Sequence, residues 1–173
     1  LSLLAAALML ATFMTGCGGD KTNDEKALPE TIKIGVFEPL TGASAAGGEL
    51  EKQGIDLAHK LYPNVTVNGK EIPVEVKYAD NKSDKSESEN AAKKLVADGA
   101  NIVLGSWGSS ASIAAGPVFK EAQVPAIGTS CTSPLVTLGN EYYFRVCYTD
   151  PFQGKVMANY AFNEGNYRKI AVI

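Results

Sequence analysis

The sequence predicts an α/β protein with a parallel sheet flanked by helices. Three observations carry that expectation. Short apolar runs with period-two alternation recur along the chain, beginning with Thr31-Ile-Lys-Ile-Gly-Val-Phe37. Stretches with helical spacing lie between them, and regular alternation of strand and helix implies a sheet covered on both faces. The loops that follow the strands are unusually rich in Gly, Ser, Thr and Ala.

Taken in order, Ile32, Ile34 and Val36 alternate as a first strand. Leu50, Gly54, Leu57, Ala58 and Leu61 then recur at helical spacing, which predicts a helix over Gly48–Leu61. Asn68-Gly69 is a strong hairpin signal and leads into a strand at Val74, Val76 and Tyr78. The next helix should be capped by Ser83, turn Leu95 and Val96 inward, and stop at Gly99. A strand at Ile102–Gly105, a Gly/Ser loop, a helix to about Ala122 and the strand Val124–Gly128 follow. Beyond a Thr/Ser loop, Tyr142–Val146 reads as another strand. Asp150 as cap and Pro151 at the first helical position predict a further helix start. Arg168–Ile173 reads as a last strand in which the sequence stops, so this is expected to be the first half of a longer protein.

The chain has 173 residues, 45% hydrophobic and 20% charged, an ordinary globular composition. Its net charge of −3, a lone histidine and no basic block argue against nucleic acid as a partner. Leu1–Gly16 carries no charge and is shorter than the ~20 residues a membrane span needs. It reads as a signal-peptide core whose basic segment and initiating Met are absent, so the sequence should begin just inside the true N-terminus. Met14-Thr15-Gly16-Cys17 resembles the lipobox of bacterial lipoproteins, in which the cysteine sulfur receives a diacylglycerol. Two acyl chains suffice for stable anchoring. Residues 17–30 would then be a polar tether. The plainer alternative is a simple secretory signal with an incidental cysteine. An exported chain meets oxidising conditions, which permit a Cys131–Cys147 disulfide, although spacing alone does not establish proximity.

Several chemistries find no support. Gly42 and Gly47 have phosphate-loop separation, but the following Lys and Ser/Thr are replaced by Gly48 and Glu49. There is no G-x-G-x-x-G, so no dinucleotide cofactor is expected. His59 sits mid-helix beside Lys60 and reads as a surface residue rather than a general base, and no G-x-S-x-G elbow is present. One histidine and Cys131 and Cys147 match no zinc spacing, so no metal is expected. The chain is not expected to be an enzyme.

Ligands of parallel α/β sheets sit outside the carboxyl ends of the strands. The loops there are Glu38–Gly48, Asp80–Ser83, Ser106–Ser112 and Thr129–Ser133. Gly105-Ser-Trp-Gly-Ser-Ser110 precedes a helix, whose N-terminus offers unpaired N–H groups and a partial positive charge. Glycines let a ligand approach that backbone, and Ser109 or Ser110 adds a hydroxyl donor. Ser109 capping its own helix is the simpler alternative. The second loop, Thr129-Ser-Cys-Thr-Ser-Pro134, offers carbonyls and Thr132 as acceptors for an ammonium group. An anion holder beside such an acceptor suits a zwitterion.

Residues 31–173 resemble the substrate-binding proteins of branched-chain amino acid ABC transporters, the leucine/isoleucine/valine-binding family. The resemblance rests on "IKIGVFEPLTGASAAGGELEKQGIDLA", "YADNKSDKSESENAAKKLVADGANIVLGSWGSSAS" and, most specifically, "VPAIGTSCTSPLVTLGNEYYFRVCYTDPFQG". It implies a two-lobe type 1 periplasmic-binding-protein fold, truncated here. Residues 31–147 would be an incomplete lobe one, and 148–173 the hinge and the start of lobe two. It implies an amino acid closed between the lobes and handed to an ABC permease, with no cofactor. Ser109 falls where the family's serine holds the ligand carboxylate, Ser130 where a backbone group contacts the amino acid, and Thr132 where a hydroxyl does. Where the family often carries an aromatic residue against the ligand, this sequence has Ala46-Gly47-Gly48. Trp107 either fills that space or packs on the lobe surface. A Cys131–Cys147 bridge would brace the ligand loop against the hinge. Another amino acid, an amide, urea or an aromatic acid remain alternative ligands, and a sensor or an exported α/β enzyme alternative roles.

Overall fold

The structure, a computed structural model, describes residues 28–171. The apolar run Leu1–Gly16, Cys17 and the tether up to residue 27 lie outside the described residues. Six strands form one sheet: β1 (Ile32–Glu38), β2 (Asn64–Val67), β3 (Lys70–Asp80), β4 (Ile102–Leu104), β5 (Ala126–Gly128) and β6 (Tyr143–Arg145), in the spatial order β2-β3-β1-β4-β5-β6. All pairings are parallel except β2 with β3, the expected hairpin. Asn68 and Gly69 hold φ of 50° and 78°, the left-handed pair such a two-residue turn requires. The helices are α1 (Ala45–Leu61), α2 (Lys85–Ala97), α3 (Ser109–Ala122) and α4 (Asp150–Asn159).

The chain moves one way from β1 to β3 and the other way from β3 through β4 to β5. Right-handed crossovers therefore put α1 on one face and α2 and α3 on the other. The core lies on the α2/α3 side, where Phe37, Leu95, Val103, Phe119, Ala126 and Tyr143 are buried together. Phe37 meets Phe119 edge to face with ring centroids 5.4 Å apart. Gly35 allows close packing there, since a Cβ would stand 3.1 Å from Leu95 Cδ1.

Three local expectations need correction, and one helix holds an unexpected exposure. α2 is capped by Asp84, whose carboxylate accepts from the N–H groups of Ser86 and Glu87, not by Ser83. Ser83 has φ of 60° and instead donates its hydroxyl to Thr41 O. α4 is preceded by Thr149 in the cap position, so Asp150 is its first residue. Asp150 spends its own N–H on Thr132 O at 3.0 Å. Arg168–Ala171, the described part of the expected last strand, is irregular, because no strand of the sheet runs beside it to share ladder bonds. Finally, the Leu50/Leu57/Leu61 stripe that marks α1 in the sequence is exposed, and Gly48 is the helix's one buried residue.

Candidate functional site

The strand register brings the four loops to one edge. Glu38 pairs with Asp80 at the ends of β1 and β3, Val36 with Leu104 at the end of β4, and Leu104 in turn with Ile127. Each loop that follows is tied to its neighbours by side-chain bonds. The Asp80 carboxylate accepts from Leu40 N–H (2.9 Å), Thr41 N–H (3.2 Å) and the Thr41 hydroxyl (2.6 Å). Burial opposes its ionisation, but those donors and Lys82 N–H together hold it below the ordinary carboxylate range. Buried Asn81 donates to Ser106 Oγ at 2.7 Å, joining the second loop to the third. Trp107 N–H donates to Glu38 Oε2 at 2.7 Å, joining the third to the first.

The third and fourth loops meet at the start of α3. Gly108 occupies the cap position with φ of 93°, and no side chain caps the first N–H groups of the helix. Ser109 is the first helical residue and does not cap it. Its Oγ instead accepts from Ser133 N–H at 3.0 Å, which leaves the hydroxyl proton available to a ligand. Ser110 is exposed beside it. An uncapped N-terminus with a hydroxyl donor suits a carboxylate.

The Thr129–Ser133 loop is held from below and from the side. Arg145 donates to Cys131 O at 2.8 Å and to Thr137 Oγ1 at 2.9 Å. The Cys147 thiol donates to Cys131 O at 3.3 Å, and both cysteines are free thiols. Thr132 O takes Asp150 N–H, tying the ligand loop to the start of α4. The Ser130 hydroxyl is engaged with the Glu51 carboxylate, as is that of Thr129. Trp107, 42% exposed, lies against Gly47, where a Cβ would collide with its indole ring. The ring thus occupies the space that a side chain at position 47 would take.

Sequence reasoning missed Glu38 and Glu51. Glu38 is fully buried; Oε1 has no hydrogen-bond partner and lies where a Cβ on Gly105 would be. Burial, then the neighbouring Glu51 carboxyl, push its carboxyl up to about 9, against the Trp107 N–H that favours the anion. Glu38 closes an apolar strand, which gave a sequence-level signal of a buried acid. Glu51 had none, because its reach depends on where α1 starts. His59, by contrast, is the helix-flank residue expected, its Nε2 on Val74 O at 2.9 Å.

Four loops gathered at one carboxyl edge, beside an uncapped helix start and a hydroxyl-lined loop, make this edge the candidate site for a small ligand. Residues 31–173 match the periplasmic binding protein family. The chain belongs to that family. Leu/Ile/Val-binding protein homolog 3 of Brucella melitensis is 34% identical over 143 residues, covering 82% of this chain and 39% of the relative. The branched-chain amino acid transporter substrate-binding protein LivJ of Streptococcus pneumoniae, solved with isoleucine, superposes with a TM-score of 0.69 at 34% identity, over 79% of this chain and 39% of that one. The solute-binding protein of an ABC transporter from Rhodopseudomonas palustris, solved with 3,4-dihydroxybenzoic acid, gives 0.71 at 27% identity, over 79% and 37%. The described unit is thus a single lobe of the periplasmic binding protein fold, and the chain spans about two-fifths of the length of these relatives.

Proposed function

We propose that this chain supplies lobe one of an extracytoplasmic solute-binding protein that captures an amino acid, branched-chain by the names its relatives carry, and delivers it to an ABC permease. The observation that supports this most is the α3 N-terminus: uncapped, with the Ser109 hydroxyl proton unspent, and hydrogen-bonded to the Thr129–Ser133 loop. The ligand carboxylate rests on Ser109, Ser110 and the helix N–H groups. The Ser130 backbone and the Thr132 hydroxyl contact the amino acid, and Trp107 walls the side-chain space left by Gly47.

Hydrogen bonds to charged groups contribute about 1.5–3 kcal/mol each, whereas micromolar binding requires about 8 kcal/mol. These few contacts hold a ligand weakly after ordering costs. A second lobe must therefore close over the site, a hinge motion about the segment from Cys147 to Phe152. Asp150 N–H on Thr132 O supports this reading, because it couples the hinge to the ligand loop. Lipidation of Cys17 keeps the binder at the membrane near its permease. Once oxidised, a Cys131–Cys147 disulfide would brace the loop.

A second reading, an aromatic-acid binder, is favoured by the dihydroxybenzoate neighbour, since a benzoate carboxylate suits the same helix start. Calorimetry of the full-length, unlipidated protein separates the two. Micromolar heat with leucine, isoleucine or valine supports the first reading. Heat only with 3,4-dihydroxybenzoate supports the second, and turnover of any substrate overturns both.

A further inference from the structure

Glu51 extends from α1 to the Thr129–Ser133 loop, and its two oxygens accept the hydroxyls of Thr129 and Ser130. Among the described residues, no Lys, Arg or His comes within ion-pair distance of Glu51 or Glu38. Glu38 lies behind, fully buried, with Oε1 unpartnered. A carboxylate held by two neutral hydroxyls is tolerable while water reaches it. Once a second lobe covers this edge and expels that water, an uncompensated charge is strongly disfavoured. A simple carboxylic acid would add a second negative charge there. An amino compound would bring the missing cation.

Ser109 holds one end of the loop through Ser133, and Glu51 holds the other through Thr129 and Ser130. A donor for a carboxylate and an acceptor for an ammonium thus stand at the two ends of one five-residue loop. We propose that Glu51 is the lobe-one acceptor for the ligand's ammonium group and so selects amino acids over carboxylic acids of the same skeleton. This rests on the amino-acid reading above.

The test is calorimetry of the full-length protein with leucine and with 4-methylpentanoate, the same skeleton without the amino group. Glu51→Gln removes the charge while keeping the shape: its amide oxygen accepts one hydroxyl and its NH2 donates to the other. It should weaken leucine at least tenfold, in line with the loss of a charged hydrogen bond, and leave 4-methylpentanoate within about twofold or tighter. Equal losses for both ligands, or leucine within about twofold, would overturn the assignment while leaving the amino-acid reading intact. If the wild-type protein binds 3,4-dihydroxybenzoate but no amino acid, both fall together. Should Glu51→Gln melt below room temperature, Glu51→Asp carries the test. Its retracted carboxylate must cost leucine affinity and spare the des-amino acid, and an equal loss for both overturns the proposal.

Discussion

The N–H of Ser133 donates to Ser109 Oγ at 3.0 Å, so the first residue of α3 is bound to the neighbouring loop rather than to its own helix. The hydroxyl therefore has two roles: it accepts from the loop and has a proton left to donate. Ser109→Ala removes both. Losing a hydrogen bond to a charged ligand group should cost about 1.5–3 kcal/mol, or roughly tenfold or more in affinity. Losing the loop tie should cost about 1 kcal/mol of stability. Titration calorimetry checks the first and denaturant unfolding the second. Affinity within about twofold would show that the carboxylate binds elsewhere.

Gly47 and Trp107 should act together as a size filter. A Cβ on Gly47 would collide with the indole, so Gly47→Ala must displace the ring or the start of α1. Overpacking of this kind costs about 1–3 kcal/mol. Because Trp107 is the chain's one tryptophan, its fluorescence reports the displacement directly. Trp107→Ala should do the opposite, opening the site and shifting preference from leucine toward larger ligands. An unchanged ligand ranking in that variant would reduce Trp107 to a surface contact.

Much of this was legible in the sequence, because strands and turns are set locally. The alternation at Ile32, Ile34 and Val36, the Asn68-Gly69 turn and the Gly/Ser loop before α3 each carry their cause within a few residues. The site was legible as a set of loops because parallel topology gathers them at one edge. What escaped were interactions between loops distant in sequence. Ser83 reads as a cap until Thr41 is known to lie beside it, and nothing local to Ser130 shows that Glu51 will take its hydroxyl. The α1 stripe shows the same limit: its spacing predicts the helix correctly, but not what its apolar face meets.

Glu38 should make stability depend on pH. Its carboxyl rises from 4.5 to about 9 in the fold, through burial first and Glu51 second. Between those values the folded chain keeps a proton that the unfolded chain releases. Stability is then greatest below the lower value and is lost as pH rises through the upper one. Glu51 adds to the rise and the Trp107 N–H opposes it. Glu38→Gln mimics the protonated form and should flatten this slope while keeping Trp107 in place. Urea unfolding of both proteins from about pH 5 to about pH 9 measures the difference. Parallel pH profiles would mean that Glu38 ionises normally in the fold.

Cys131 and Cys147 should close into a disulfide when an oxidant is supplied. Cys147 is half-buried and its thiol already points at the Cys131 carbonyl, 3.3 Å away. Cys131 is buried, and desolvation pushes its thiol pKa up, so it is the poorer nucleophile. In oxidised glutathione, Cys147 should therefore react first, forming a mixed disulfide and releasing one glutathione thiol. Cys131 then displaces the second glutathione, so two protein thiols are lost and two glutathione thiols gained. A bridge closing a loop of this size should stabilise the fold by about 3 kcal/mol. In a Cys17→Ser background, thiol titration should fall by two groups with no retained adduct mass. A glutathione adduct that persists on Cys147 beside a free Cys131 would show that the two sulfurs do not meet.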